Sequence, residues 1–111
     1  MATDGLVDSG ATATFIPKEI ADLLDLIPIG DDVVHQEASG AGGRFPTMPI
    51  TLKRLTLVKN ISPFAEFVEV PALIPDQDDV LPYVILGRDR VFKRFDITFQ
   101  ERRRKFVFDR L

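Results

Sequence analysis

The chain has 111 residues, the length of one domain with one core, and 45% of them are apolar, which excludes a disordered tail. It has nine Phe, no Trp and no Cys, so disulfides, thiolate metal sites and thiol nucleophiles are excluded. The formal net charge of -3 argues against bulk nucleic-acid binding, but it is uneven. From Arg88 onward the chain carries about +5 and the remainder about -8, a split that reads as internal or subunit complementarity rather than a polyanion site.

In chain order, residues 3–8 read as a short strand running into Asp8-Ser9-Gly10-Ala11, where the glycine permits a sharp turn. Thr12 to Ile16 is β-branched and aromatic, suited to a second short strand. Pro17 stands at a favourable first helical position, and Ile20, Leu23, Leu24 and Ile27 recur at helical spacing. These predict a helix over about 17–26, ended by Pro28 and Gly30. Val33 to Glu37 reads as a strand, and the glycine-rich Ser39-Gly40-Ala41-Gly42-Gly43 as an irregular hairpin tip. Thr47 to Val58 alternates apolar with polar residues, a long strand with a bulge expected near Lys53-Arg54. Phe64 to Val70 is a further strand, after which Pro71, Pro75 and Pro82 bracket an acidic loop with Asp76, Asp78 and Asp79. Tyr83 to Leu86 is an apolar strand stopped by Gly87, and Arg88 to Arg94 suits a helical turn. Phe95 to Phe99 and Lys105 to Asp109 pair as a hairpin with one apolar face. The expected fold is a small, mostly β domain, a closed barrel with one or two short helices.

The chemistry concentrates at Leu6-Val7-Asp8-Ser9-Gly10-Ala11. A carboxylate ending an apolar strand would be largely buried, and a lone buried charge is expensive. Two such carboxylates within hydrogen-bond distance share one proton, so one serves as general base on a water and the other as general acid. That use requires a second copy of the chain.

Leu6-Val7-Asp8-Ser9-Gly10-Ala11-Thr12 resembles the active-site motif of the retropepsin-like aspartic protease family, apolar-apolar-Asp-Ser/Thr-Gly-Ala. Val84-Ile85-Leu86-Gly87-Arg88-Asp89 is similar to that family's second signature, apolar residues and Gly before a C-terminal helix. An isolated Asp-Ser-Gly reads more readily as an ordinary strand-end turn; the second signature in the right order is what reverses this and favours the resemblance. It spans nearly the whole chain as a single domain and implies a homodimeric acid-protease barrel hydrolysing peptide or protein substrates without a cofactor. It implies that Asp8 is catalytic, that Ser9 bonds across the two-fold axis, and that Gly10 meets substrate backbone, supported by Ala11 and Thr12. Ile85, Leu86 and Gly87 would pack beneath the active-site loop, with Arg88 beside them, and Ser39, Gly40, Ala41, Gly42 and Gly43 would form a substrate-covering flap. The alternative is the same fold kept as a dimerisation or peptide-binding module without turnover.

Two departures stand out. Family members usually carry a further strand before the aspartate, whereas seven residues precede Asp8 here, so the domain is expected to lack that strand. Viral members have an acid shortly after the motif that pairs with the arginine of the second signature. Thr12 occupies that place, which leaves Asp89 and Asp96 as candidate partners for Arg88.

Other motifs read blandly. The glycines at 40, 42 and 43 have no following Lys-Ser/Thr, so a phosphate loop is disfavoured. His35 is the only histidine and reads as a partly exposed filler that anchors no metal. The acidic loop lacks the calcium-loop spacing, and Arg102-Arg103-Arg104-Lys105 reads as a solvated turn, which makes a nucleic-acid partner the weaker expectation. No run approaches the roughly 18 apolar residues of a membrane span, and the first residues lack a basic and then apolar leader. The expectation is a soluble, cytoplasmic chain with no membrane partner and no metal.

Overall fold

A computed structural model describes residues 3, 5–8, 10–30, 33–40, 43–59 and 62–90, and residues 95–100 and 105–110 as backbone; Phe64 and Lys59 are likewise described as backbone alone. The described part is mostly β. In chain order it comprises β1 (Gly5–Val7), β2 (Thr14–Phe15), α1 (Lys18–Leu23), β3 (Gln36–Gly40), β4 (Gly43–Lys59) and β5 (Ser62–Pro75). β6 (Val84–Leu86), β7 (Phe95–Gln100) and β8 (Lys105–Arg110) follow. The first six strands form one sheet in the order β1-β6-β2-β5-β4-β3, curled into a half-barrel. β7 and β8 pair antiparallel as a separate two-stranded sheet, as expected of that hairpin.

The order in the sheet decides where the chemistry sits. β1 runs parallel to β6, with Leu6 opposite Ile85 and Val7 opposite Leu86. β2 lies on the other side of β6, antiparallel at Phe15–Ile85, and parallel to β5 at Thr14–Ala72 and Phe15–Leu73. The chain therefore leaves β1 at Val7, wraps around the end of β6, and returns as β2. Residues 8–13 are that wrap.

The core gathers around β5, with β4, α1 and Ile16 just after β2 contributing. Val70 and Ile74 of β5 are fully buried, each contributing about 1.5–3 kcal/mol of side-chain burial, and Ile16, Ala21, Leu52 and Phe67 close around them. Helix α1 presents Ala21 to this core and ends earlier than its apolar spacing predicts. Asp25 takes the left-handed conformation (φ 54°), Leu26 N–H donates to Ala21 O, and Asp25 N–H to Asp22 O. This paired closure stops the helix at Leu23, before Pro28 and Gly30 are reached, because a short polar Asp tolerates a conformation usually left to glycine.

Other expectations move too. β3 begins at Gln36 rather than Val33, and Ser39, Gly40 and Gly43 belong to the ladder instead of an irregular tip, with Gly40 opposite Gly43. Gly43 has φ 101°, a value cheap only for glycine; Ala41 and Gly42 lie outside the described residues. β5 runs through Pro71 and ends at Pro75, so Pro71 lies within the strand while Pro75 stands at the start of the acidic loop. A strand proline forfeits one ladder bond, and β2 flanks β5 only at Ala72 and Leu73, so the loss is small. The β4–β5 register does not shift at Lys53-Arg54. It shifts between Leu57 and Val58, where Ala65 and Pro63 are the partners and residue 64 is the extra one. Opposite Lys53, Glu69 takes φ 52° without a change of register. Of the helical turn expected at 88–94, residues 91–94 lie outside the described residues.

Candidate active site

Asp8 follows the last residue of β1 and is fixed from below by β6. Its N–H donates to Leu86 O at 3.1 Å, one step beyond the parallel ladder. Its carboxylate is oriented from within the loop, where Gly10 N–H donates to Oδ1 at 2.9 Å and Ala11 N–H to Asp8 O at 3.2 Å. Asp and Gly suit this turn because the short carboxylate reaches the backbone two residues on. A Cβ on Gly10 would lie 3.2 Å from that same Oδ1, so glycine also leaves the carboxylate its room. Asp8 is half-buried in the single chain, less enclosed than its position at an apolar strand end implies.

The second signature meets the first directly. Arg88 N–H donates to Ala11 O at 2.9 Å, Asp89 N–H to Thr12 O at 2.8 Å, and buried Gly87 N–H to Thr14 Oγ1 at 3.4 Å. These bonds zip residues 87–89 against 11–14. Gly87 crosses Ala13 so closely that a Cβ there would stand 2.1 Å from Ala13 O and 2.4 Å from its carbonyl carbon. Only glycine fits. Leu86 is buried beneath the loop, and Ile85 is partly buried between its neighbours Leu6 and Phe15.

Of the two acids expected for it, Arg88 makes no ion pair with Asp89, and the side chain of Asp96 lies outside the described residues. Its guanidinium donates to Thr12 Oγ1 at 3.3 Å, so Thr12 itself accepts the bond at the place where viral members carry the acid. Both residues are exposed. Ser9 lies outside the described residues. The structure thus brings together Asp8, Gly10, Ala11, Thr12, Ile85, Leu86, Gly87 and Arg88. The hairpin residues Ser39, Gly40 and Gly43 stand apart from this cluster on β3 and β4; the tie between them is Phe45, whose ring meets Phe15 of β2 at a centroid distance of 6.1 Å.

The sequence reading missed one contact. His35 Nδ1 lies 2.7 Å from Asp76 Oδ2, joining the segment before β3 to the residue after β5. Forty-one positions separate the two, and nothing local marks either as the other's partner. The remaining acids of that loop have partners on α1: Asp78 pairs with Lys18 at 3.7 Å, and Asp79 N–H donates to Glu19 Oε1 at 3.1 Å. No helix among the described residues is long and apolar enough to cross a membrane, which leaves strands out of account.

Comparison with known proteins agrees with this fold. A crystallised retropepsin-like aspartic protease from Rickettsia conorii is similar in fold, with a TM-score of 0.61 at 23% identity, over 86% of this chain and 72% of that one. A search of curated protein sequences found no match. The family model described as aspartyl protease matches residues 2–90, which takes in both β1–Asp8 and β6–Gly87. This chain belongs to the aspartyl protease family.

Proposed function

We propose that the chain is one subunit of a homodimeric aspartic endopeptidase in which each subunit contributes Asp8. One observation carries this reading. The carboxylate of Asp8 is held by Gly10 N–H on a loop locked from beneath by Leu86 and Gly87, inside the segment the family model matches. A shared-proton carboxylate pair is the accepted chemistry of aspartic proteases, and one loop per subunit supplies one half of it.

The ionised Asp8 takes a proton from a water held between the two carboxylates, and the water oxygen forms a bond to the scissile carbonyl carbon. The protonated Asp8 of the other subunit gives its proton to the carbonyl oxygen. As the tetrahedral diol collapses and the C–N bond breaks, the first Asp8, now protonated, gives its proton to the leaving nitrogen, and the second Asp8 takes a proton from a diol hydroxyl as the carbonyl re-forms. The first carboxylate is again ionised and the second again protonated for the next cycle. Ser9 bonds across the two-fold axis, Gly10 meets substrate backbone, and the β3–β4 hairpin covers the cleft with Gly40 to Gly43 at its end. The apolar face of the β7–β8 hairpin packs about the two-fold axis, where a stable interface needs roughly 1,000 Å² or more.

The test is cleavage of a denatured protein at acidic pH, with and without pepstatin, by the parent and by Asp8→Asn. The variant keeps shape and removes charge, so it should fold and fail to cut. Cleavage by Asp8→Asn at the parent rate removes Asp8 from the chemistry. Pepstatin binding by a parent that cuts nothing would instead mark a peptide-binding module of the same fold.

A further inference from the structure

We infer that His35 and Asp76 form a latch at the foot of the β3–β4 hairpin and thereby set how firmly the hairpin is held over the site. The role of the hairpin as a cover rests on the protease reading; the latch itself does not.

β3 is the terminal strand of the sheet and pairs with β4 alone. Residues 33–35, which lead into it, have no regular structure. An edge strand entered from an irregular segment frays unless something ties it down. The ties here are few and specific. Thr47 Oγ1 donates to Gln36 O at 2.6 Å, closing the foot of the hairpin on itself. Asp76 N–H donates to Pro46 O at 3.0 Å and so holds the β4 side to the end of β5. On the β3 side the corresponding tie is His35 Nδ1 to Asp76 Oδ2, at 2.7 Å. Asp76 therefore grips both strands at once, one through its backbone and one through its carboxylate.

Asp76 is the better-buried partner of the pair. It follows buried Pro75, and its side chain is 22% exposed against 54% for His35. Its Oδ1 is enclosed and has no partner among the described residues, so His35 supplies the hydrogen bond the side chain receives there. Either the neutral Nδ1–H imidazole or the imidazolium donates that bond. Farther along, the outer face carries the exposed Glu37–Arg44 pair, separated by 3.8 Å. A cavity of about 320 Å³ at the foot is lined by hairpin and approach residues alone, including His35, Glu37 and Arg44. The inward contact of Phe45 with Phe15 then works against a hairpin whose entry depends on one imidazole.

Hydrogen exchange on the whole protein reads this without any need for activity. His35→Ala and, separately, Asp76→Ala should each raise exchange of the hairpin amides at Ala38 and Phe45 by about tenfold, with Val70 and Ile74 unchanged. The double variant should be no faster than either single one, and Asp76→Asn, which keeps an acceptor, should stay near the parent. Unchanged hairpin exchange in both alanine variants overturns the latch. So does a rise shared equally by Val70 and Ile74, which would mark global loosening. Should Asp76→Ala fail to fold, His35→Ala alone decides, since its side chain is half exposed. Absence of cleavage by the parent would count against the protease reading and leave the exchange result to judge the latch.

Discussion

Replacing Gly87 by alanine should damage this protein more than any ordinary surface change. The added Cβ would stand 2.1 Å from Ala13 O, 2.4 Å from Ala13 C and 2.9 Å from Ala13 N, where ordinary contact is 3.4–4 Å. All three are backbone atoms, so no rotamer relieves the clash, and the two segments must part by more than about 1 Å. Parting them stretches three hydrogen bonds: Arg88 N–H to Ala11 O, Asp89 N–H to Thr12 O, and Gly87 N–H to Thr14 Oγ1. At about 0.5–1.5 kcal/mol each, and with about 1–3 kcal/mol for overpacking, the cost is about 2.5–7.5 kcal/mol. That is a large share of the roughly 5–15 kcal/mol typical of a whole domain. Urea denaturation should show the midpoint falling by about 1 M or more at an m-value of about 1–3 kcal/mol/M. Gly5→Ala is the control, because a Cβ there meets nothing closer than 3.5 Å. A Gly87→Ala variant within about 1 kcal/mol of the parent, or level with Gly5→Ala, would refute the zipped-loop argument.

Two further outcomes follow from the same geometry. Thr12→Asp turns a neutral acceptor for Arg88 into a charged one, so thermal melts should rise by a few degrees at low salt and lose the gain at high salt. An unchanged melt at low salt contradicts the Arg88–Thr12 contact. Deleting residues 105–111 removes β8 and half of the hairpin assigned to assembly, so light scattering should find a folded monomer at concentrations where the parent is a dimer. A folded dimer places the interface elsewhere.

Much of the site was legible because its determinants are local. Leu6-Val7-Asp8 and Val84-Ile85-Leu86-Gly87 announce an apolar strand, a turn and a second apolar strand, and the parallel β1–β6 pairing joins them. The long strands were harder. Pro71 looks like a strand breaker, yet β5 passes through it and ends only at Pro75, because the cost of a proline depends on which neighbour needed its N–H. The bulge near Lys53-Arg54 was misplaced for a related reason: alternation along one strand does not say where its partner gains a residue, and here the partner does so at 64. Asp25 ended the helix early through a backbone state that sequence spacing does not encode. Charge alone points Arg88 to an acid such as Asp89, whereas its position over the returning loop puts Thr12 Oγ1 within reach of the guanidinium. His35–Asp76 joins residues far apart in sequence, and only the folded sheet makes them neighbours.

The central claim is that two chains share one site, and mixing subunits tests it most directly. Parent protein would be equilibrated with increasing Asp8→Asn at constant total chain, and cleavage followed once exchange is complete. If each site needs Asp8 from both subunits, activity falls as the square of the parent fraction, to about one quarter at equal amounts. A linear fall to about one half would mean that each chain cuts on its own, and would contradict the shared pair.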